Sequence, residues 1–358
     1  MEGAVMNISD LKVAAKRIIY SPQETSFYGV ELIRAIEQGK SRSLIFPVVG
    51  MREYVAPLMP WETCVIIAQT SNYKSGIMDF WEHTAADQLI AQGRTNEAIL
   101  HISLEETIEA MAFRGFARLG QENAGSLARG KVADWNALLG NSTQLAGVPI
   151  YRIGDSTMNR DAAGIELYLS NIERAVDALV RGEVTGEPVM LAGIFLDYVQ
   201  ALPLDPEIQT GKIEMQRRLQ VVQDVYRLQK WPVRYDCPVV YAAQGKQHLQ
   251  NESGDWKLPG MYDGEESAVL AQRPDRIIGQ WLPKQTSPLG TMIEHGNIRF
   301  RVEENMLLMR VAKQRGGLPA GKIYMNRVDY VKGTIETERK PGSTPQVRDH
   351  DRDVHGQE

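Results

Sequence analysis

TCVIIAQTSNYKSG, residues 63–76, decides how this chain is read. Cys64, Val65, Ile66 and Ile67 form a short apolar, β-branched run that stops at Ala68. Gln69, Thr70, Ser71, Asn72 and Tyr73 follow, then Lys74 and Ser75, then an amphipathic segment reaching Ala91. That order spells strand, tight loop, helix. It approximates G-x-x-x-x-G-K-[ST], the loop whose backbone N–H groups and lysine cradle a nucleotide's phosphates while the hydroxyl meets Mg²⁺. Ala68 stands at the first glycine position and Tyr73 at the second. A tyrosine tolerates positive φ poorly, and its ring occupies space the phosphates need. On its own residues the stretch reads equally well as a plain strand–turn–helix corner, so the flanking chain decides.

At 358 residues and 43% hydrophobic content, the chain can bury a large core, as one α/β domain with appendages or as two small domains. A net charge of -5 argues against a generally basic nucleic-acid coat, though not against a local basic groove built in an oligomer. Cys64 and Cys237 each open an apolar run and read as small core residues of a reduced, cytoplasmic protein. His83, His101, His248, His295, His350 and His355 show no metal-ligand spacing. No apolar run approaches the roughly 18 residues of a membrane span, and no leader is visible.

Residues 1–42 read as a helical arm, with helical spacing over 8–19 and 28–38 and a break at Ser21-Pro22. Such an arm buries its apolar stripe on its own domain or on a neighbouring subunit. Residues 43–335 read as the core and 336–358 as a disordered tail, charged and poor in apolar residues. In the core, strands are predicted at 97–103, 148–153, 189–196, 238–243, 276–281, 305–313 and 322–328. Helices are predicted at 75–92, 105–119, 131–139, 164–181, 213–231 and 265–270, and a polar loop at 245–263. Alternating buried strands and helices imply a mostly parallel sheet covered on both faces, with ligands bound beyond the strands' carboxyl ends.

Polar residues stand at those ends: the Lys74 loop, Glu105, Asp197 and Gln244. NTP hydrolysis asks the protein for a phosphate cradle, a metal ligand, a group that activates water and positive charge on the transition state. Lys74 and Ser75 suit the cradle and metal, and Asp197 a second metal contact. Glu105 suits the water, provided its strand lies beside the cradle strand, and Gln244 suits a γ-phosphate sensor. Each alone reads as a cap or solvated turn; four in order, each at a separate apolar strand's end, are harder to dismiss.

These segments resemble the C-terminal RecA-like ATPase domain of DnaB-type replicative helicases. AQTSNYKSG is similar to that family's phosphate loop, and ILHISLEET to the strand carrying its catalytic glutamate. GIFLDYVQAL resembles the metal-binding strand, with Asp-Tyr-x-Gln intact at Asp197, Tyr198 and Gln200. CPVVYAAQGKQ resembles the strand ending in the sensor glutamine. YDGEESAVLAQRPDRIIG resembles the segment beneath the DNA-facing loop, with Glu265 where the family carries arginine. MRVAKQRGGLPAGKIYM resembles the Lys-Gln-Arg hairpin that reaches a neighbour's nucleotide. The resemblance spans about residues 43–330. The family's N-terminal collar domain has no counterpart in the arm.

The resemblance implies a RecA-like α/β P-loop core with late antiparallel strands, binding ATP and Mg²⁺ through residues 68–75 and Asp197. It implies a ring, most simply a hexamer, with Lys313 and Arg315 acting on the adjacent subunit's γ-phosphate. It implies translocation on single-stranded DNA gripped by Lys246, His248 and Lys257, 5′-to-3′ unwinding, and contacts with other replication proteins in a bacterial, phage or mobile-element setting. Two other readings stand beside it: a regulatory or recombination-mediator ATPase that binds DNA without unwinding, and a non-hydrolysing assembly protein motivated by Tyr73.

Overall fold

The computed structural model describes residues 20–120, 123–159, 165–204, 213–246, 257–265, 268–295, 298–316 and 320–339. The helical spacing at 8–19, His248 and the tail beyond Arg339 lie outside them. The chain divides into two compact units, Met1–Ser41 and Arg42–Glu358. In the first, helix α1 (Pro22–Glu37) begins where a break was expected. Ser21 Oγ accepts from the Glu24 N–H (3.2 Å) and Glu24 Oε2 from the Ser21 N–H (2.7 Å). Ser-Pro here starts a helix, with proline at a position whose N–H needs no partner.

The second unit contains β1 (Thr63–Ala68), α2 (Lys74–Ala91), β2 (Glu97–Ser103), α3 (Ile108–Gly120), α4 (Ala124–Leu127), α5 (Trp135–Ala146) and β3 (Ile150–Ile153). Next come α6 (Leu169–Val180), β4 (Met190–Asp197), α7 (Ile213–Leu228), α8 (Trp231–Tyr235), β5 (Val239–Gln244) and α9 (Val269–Gln272). The chain then runs through β6 (Arg276–Trp281), β7 (Met292–His295), β8 (Ile298–Arg301), β9 (Met306–Gln314), β10 (Ile323–Asp329) and β11 (Thr334–Arg339). One nine-stranded sheet has the order β11-β10-β9-β6-β1-β5-β4-β2-β3, and β7 and β8 form a separate hairpin. From β6 to β3 neighbours run parallel; β9, β10 and β11 are antiparallel.

All of β1 is buried because both faces are covered. Cys64 and Ile66 enter a core with Phe46, Trp81 and Phe195, whose rings meet edge to face. Val65 and Ile67 enter the opposite core, closed by Leu169, Ile172 and Val176 of α6 and Val221, Val225 and Leu228 of α7. A third cluster joins Leu258, Trp281, Phe300 and Leu308 under the β7–β8 hairpin.

Three expectations change. The helix expected at 131–139 is α5, placed later because Asp134 accepts from the N–H groups of Asn136 (2.8 Å) and Ala137 (3.1 Å). The hairpin β7–β8 and strand β11 sit where no strand was expected, since exposed and charged positions interrupt their apolar runs; β11 extends to Arg339, inside the stretch read as a tail. Helix α2 is not the amphipathic helix expected: its polar residues Asp79, Glu82 and His83 are buried. There Glu82 holds His101 Nδ1 and lies 2.9 Å from Arg152, while Arg114 stands 3.7 Å from Asp79. Asp79, Glu82 and His83 offer ligand-type atoms within 4.8 Å of one another, but arginines already balance both carboxylates. No helix among the described residues is long and apolar enough to cross a membrane.

Burial alone would raise the Glu82 pKa, but His101 and Arg152 outweigh it and hold it at about 2. A folded-state pKa below the unfolded one contributes stability above about pH 4 that is lost as pH falls toward the folded value. Glu82→Ala is expected to cost about 3–5 kcal/mol in urea unfolding at neutral pH, because Arg152 and His101 lose their partner. The variant should also lose part of the wild-type decline in stability between about pH 4 and pH 2. A cost under about 1 kcal/mol would show that the network carries little of the fold's stability.

Candidate functional site

The tips of β1, β5, β4 and β2 are consecutive in the sheet, and each carries one of the polar residues singled out above. Register places Ala68 opposite Gln244 and Ser103 opposite Asp197. Glu105 therefore follows a strand that is not beside the cradle strand: β5 and β4 intervene. It nonetheless lines the same cavity as Lys74, about 400 Å³ in volume.

The loop between β1 and α2 is held by its own polar side chains. The Asn72 amide donates to the Thr70 carbonyl (3.0 Å), and its Oδ1 accepts from the Leu282 N–H (2.7 Å). Gln280 Nε2 donates to the Asn72 carbonyl (2.5 Å), and Gln69 Nε2 to the Lys246 carbonyl (2.9 Å). These bonds tie the loop to the ends of β6 and β5.

Lys74 is buried and donates to Gln244 Oε1. Gln244 Nε2 in turn donates to Thr70 Oγ1 at 2.8 Å. The ammonium lies 4.5 Å from the centre of the Tyr198 ring. Burial lowers the Lys74 pKa, against the opposing pull of Asp197, Glu105 and Glu265. Burial raises that of Glu105; Lys74 pulls it down and Asp197 pushes it up. Asp197 is 3% exposed, and its Oδ1 has no hydrogen-bond partner. A buried carboxylate oxygen left unpaired beside a serine-bearing loop is a donor set suited to a hard divalent cation.

Gln200 was flagged only as part of a signature. Its Oε1 accepts from the Gln244 N–H (3.0 Å), and its Nε2 donates to the carbonyls of Gln244 and Glu265 (3.3 Å each). It thereby clamps both ends of the loop that leaves β5. Sequence reasoning missed Arg114 and Arg118 of α3 and Tyr330 after β10, all lining the cavity. The only signal was helical spacing: Arg114, Ala117 and Arg118 share a face of α3, and Arg114 pairs with Glu106, which precedes the helix.

Lys313 and Arg315 do not reach this cavity within the chain. Lys313 is level with Ile277, itself level with Val65, three residues short of the β1 tip. Its ammonium donates to the carbonyls of Ala271 (3.1 Å) and Gln272 (2.9 Å). Arg315 pairs with Asp275 at 2.8 Å while its side chain stays 60% exposed. Lys246 donates to the Tyr262 carbonyl (3.0 Å), and Lys257 lies 3.3 Å from Asp263.

Tyr73 adopts φ 65°, the left-handed conformation glycine takes easily, and Ser71 does the same at φ 63°. For a residue with a Cβ this costs roughly 1–2 kcal/mol. The Tyr73 ring folds back over Gly76 and meets Tyr330 edge to face at 5.7 Å. A Cβ on Gly76 would come within 2.3 Å of that ring. The freedom lost at position 73 is thus matched by a vacancy at position 76.

Gly76→Ala is expected to destabilise the protein by about 1–3 kcal/mol in thermal unfolding, by overpacking against the ring. In a Tyr73→Gly background the same change should be neutral or stabilising, since alanine is the better helix former. An equal loss in both backgrounds would remove the ring as the cause.

No protein-family model matches the sequence, and no curated protein matches it either. Solved structures do. The chain is similar to a solved structure described as an ATPase domain, with a TM-score of 0.63 and 17% identity, covering 87% of this chain and 97% of that one. It is also similar to a DnaB-like replicative helicase described with its interactions with primase, with a TM-score of 0.57 and 17% identity. That match covers 78% of this chain and 58% of the helicase, so the chain spans little more than half of that protein's length. What is shared is the fold: the chain has the RecA-like α/β architecture of DnaB-type helicase ATPase domains.

Proposed function

We propose that this chain is the ATP-hydrolysing motor of a ring-forming, DnaB-like DNA helicase. One observation carries the reading: four adjacent strand tips gather Lys74, Glu105, Asp197 and Gln244, with Lys74 and Glu105 lining one cavity and the unpaired Asp197 carboxylate close enough to act electrostatically on both. The solved relatives, an ATPase domain and a DnaB-like replicative helicase, point the same way.

In this reading residues 68–75 hold the triphosphate, with Lys74 neutralising phosphate charge. Ser75 and Asp197 would hold Mg²⁺, which when bound withdraws charge from the phosphates. Glu105 accepts the proton of the attacking water as its oxygen bonds the γ-phosphorus. The γ-phosphorus–bridging oxygen bond breaks, releasing ADP and inorganic phosphate. Burial raises the Glu105 pKa, the direction that makes its carboxylate a stronger base.

Gln244, bonded to both Lys74 and Thr70, exchanges partners as the γ-phosphate comes and goes. Through Gln200 it passes that change to the loop bearing Lys246 and Lys257, which grips single-stranded DNA. Arg315, exposed and remote from its own cavity, serves the next subunit's nucleotide together with Lys313, so hydrolysis depends on assembly.

Lys74→Ala and Glu105→Gln are each expected to lower ATP turnover by about 10²–10⁴-fold, with Glu105→Gln still binding a fluorescent ATP analogue. Arg315→Ala subunits should regain turnover when mixed with Glu105→Gln subunits, because each supplies what the other lacks. Turnover equal to the Lys74→Ala background in wild type would replace the motor reading with that of a non-hydrolysing assembly protein. DNA-stimulated hydrolysis without separation of a forked duplex would favour the recombination-mediator reading.

A further inference from the structure

Beneath the loop that returns from residue 257 to β6 lies a set of cations with too little counter-charge. Arg310 sits on β9, paired across the sheet with Gly279 and Ile323. Its Nη2 is 3.0 Å from His295 Nε2, and its Nε is buried without a hydrogen-bond partner. No carboxylate among the described residues lies within 4 Å of its guanidinium, and Asp263 acts on it only at longer range. Lys257 adds a second positive charge beside the same imidazole. The only acid at hand among the described residues, Asp263, has spent both oxygens: Oδ1 faces Lys257 at 3.3 Å, and Oδ2 accepts the Gly260 N–H at 2.7 Å.

His295 does not supply the missing charge. Burial, then Arg310 and Lys257, push its pKa down to about 4, so at neutral pH it is an uncharged acceptor for the guanidinium. Two cations, one carboxylate and a neutral ring leave a net positive spot, half-buried and holding an unused N–H. An anion at the partly exposed edge of the guanidinium supplies the counter-charge and acceptor atoms that the protein does not.

The position of the spot limits what the anion can be. Pro259 is pressed onto the sheet at Gly279, where a Cβ would meet its carbonyl oxygen at 1.9 Å, and a Cβ on Gly260 would stand 3.6 Å from Arg310 Nη1. Tyr262, 65% exposed, precedes Asp263, and its carbonyl receives the exposed Lys246 ammonium. A cationic spot beside an exposed aromatic ring suits a chain that alternates singly charged phosphodiesters with flat bases.

We infer that Arg310 and Lys257, oriented by His295 and Asp263, form a binding site for one backbone phosphate of a single-stranded nucleic acid, with Tyr262 offering its ring to a neighbouring base. This rests on the nucleic-acid reading above and adds to it a contact on β9, outside the loop itself. It gives the loop's root a direct hold on the strand, next to the Gly245–Gly264 bridge that begins at the tip of β5.

The test is binding of a fluorescein-labelled oligothymidylate of about 20 nucleotides to the full chain with an ATP analogue, followed by anisotropy over a range of NaCl. Loss of one phosphate contact flattens the slope of log affinity against log salt by about 0.7 for a single strand. Arg310→Gln and Lys257→Gln are each expected to show that flattening and a roughly tenfold loss of affinity at 0.1 M salt, with Arg310→Lys keeping most of the slope. Lys257 is a partly exposed side chain, so its variant reports even if Arg310→Gln fails to fold, a point checked by circular dichroism. Wild-type binding with unchanged slope in both Gln variants would overturn the phosphate site and leave the motor reading intact. A wild-type chain that does not bind the oligonucleotide at all would remove both the phosphate site and the nucleic-acid reading on which it rests. Binding of inorganic phosphate at Arg310 with no change in the oligonucleotide slope would make the spot a free-anion site and overturn the inference as well.

Discussion

An ammonium ion kept out of water needs opposite charge and hydrogen-bond acceptors close by, and the site follows from how this chain supplies them to Lys74. Gln244 gives the acceptor; Asp197, Glu105 and Glu265 give the charge. All arrive from strand ends or the loops just beyond them. Those ends stay together because the strands are parallel neighbours, buried on both faces, and cannot slip by one residue without exchanging their apolar sets.

The architecture was legible because β1, β2, β4 and β5 are continuous apolar runs, each stopped by a polar residue at the point where the sheet ends. Lys74, Asp197 and Gln244 could each be assigned to the end of a separate buried strand on that pattern alone. Strand order could not: nothing in residues 97–103 says that two strands separate β2 from β1. The likeness in fold to a solved ATPase domain and to a DnaB-like replicative helicase agrees with the resemblance seen in motifs such as Asp-Tyr-x-Gln.

What was illegible is of one kind. Asp79, Glu82 and His83 look like a wet helical face because periodicity counts polarity, whereas α2 is enclosed and arginines from α3 and β3 balance its Asp79 and Glu82 carboxylates. The β7–β8 hairpin was missed because its outer positions, Met292, Glu294, Arg299 and Arg301, break the apolar run that its inner positions supply. How the fold accommodates Tyr73 was hidden because the glycine under its ring stands three residues later. In each case a tertiary partner changes the meaning of a local rule.

Asn72 has a wider consequence. Its side chain and carbonyl fasten the turn after β1 to Gln280 and Leu282, on a strand that is already buried. The turn is therefore shaped before any nucleotide arrives. Freezing a flexible backbone costs roughly 1–2 kcal/mol per residue, and here that cost falls on folding instead of on capture. Under the proposed function, product could leave and a new nucleotide enter without the turn being rebuilt.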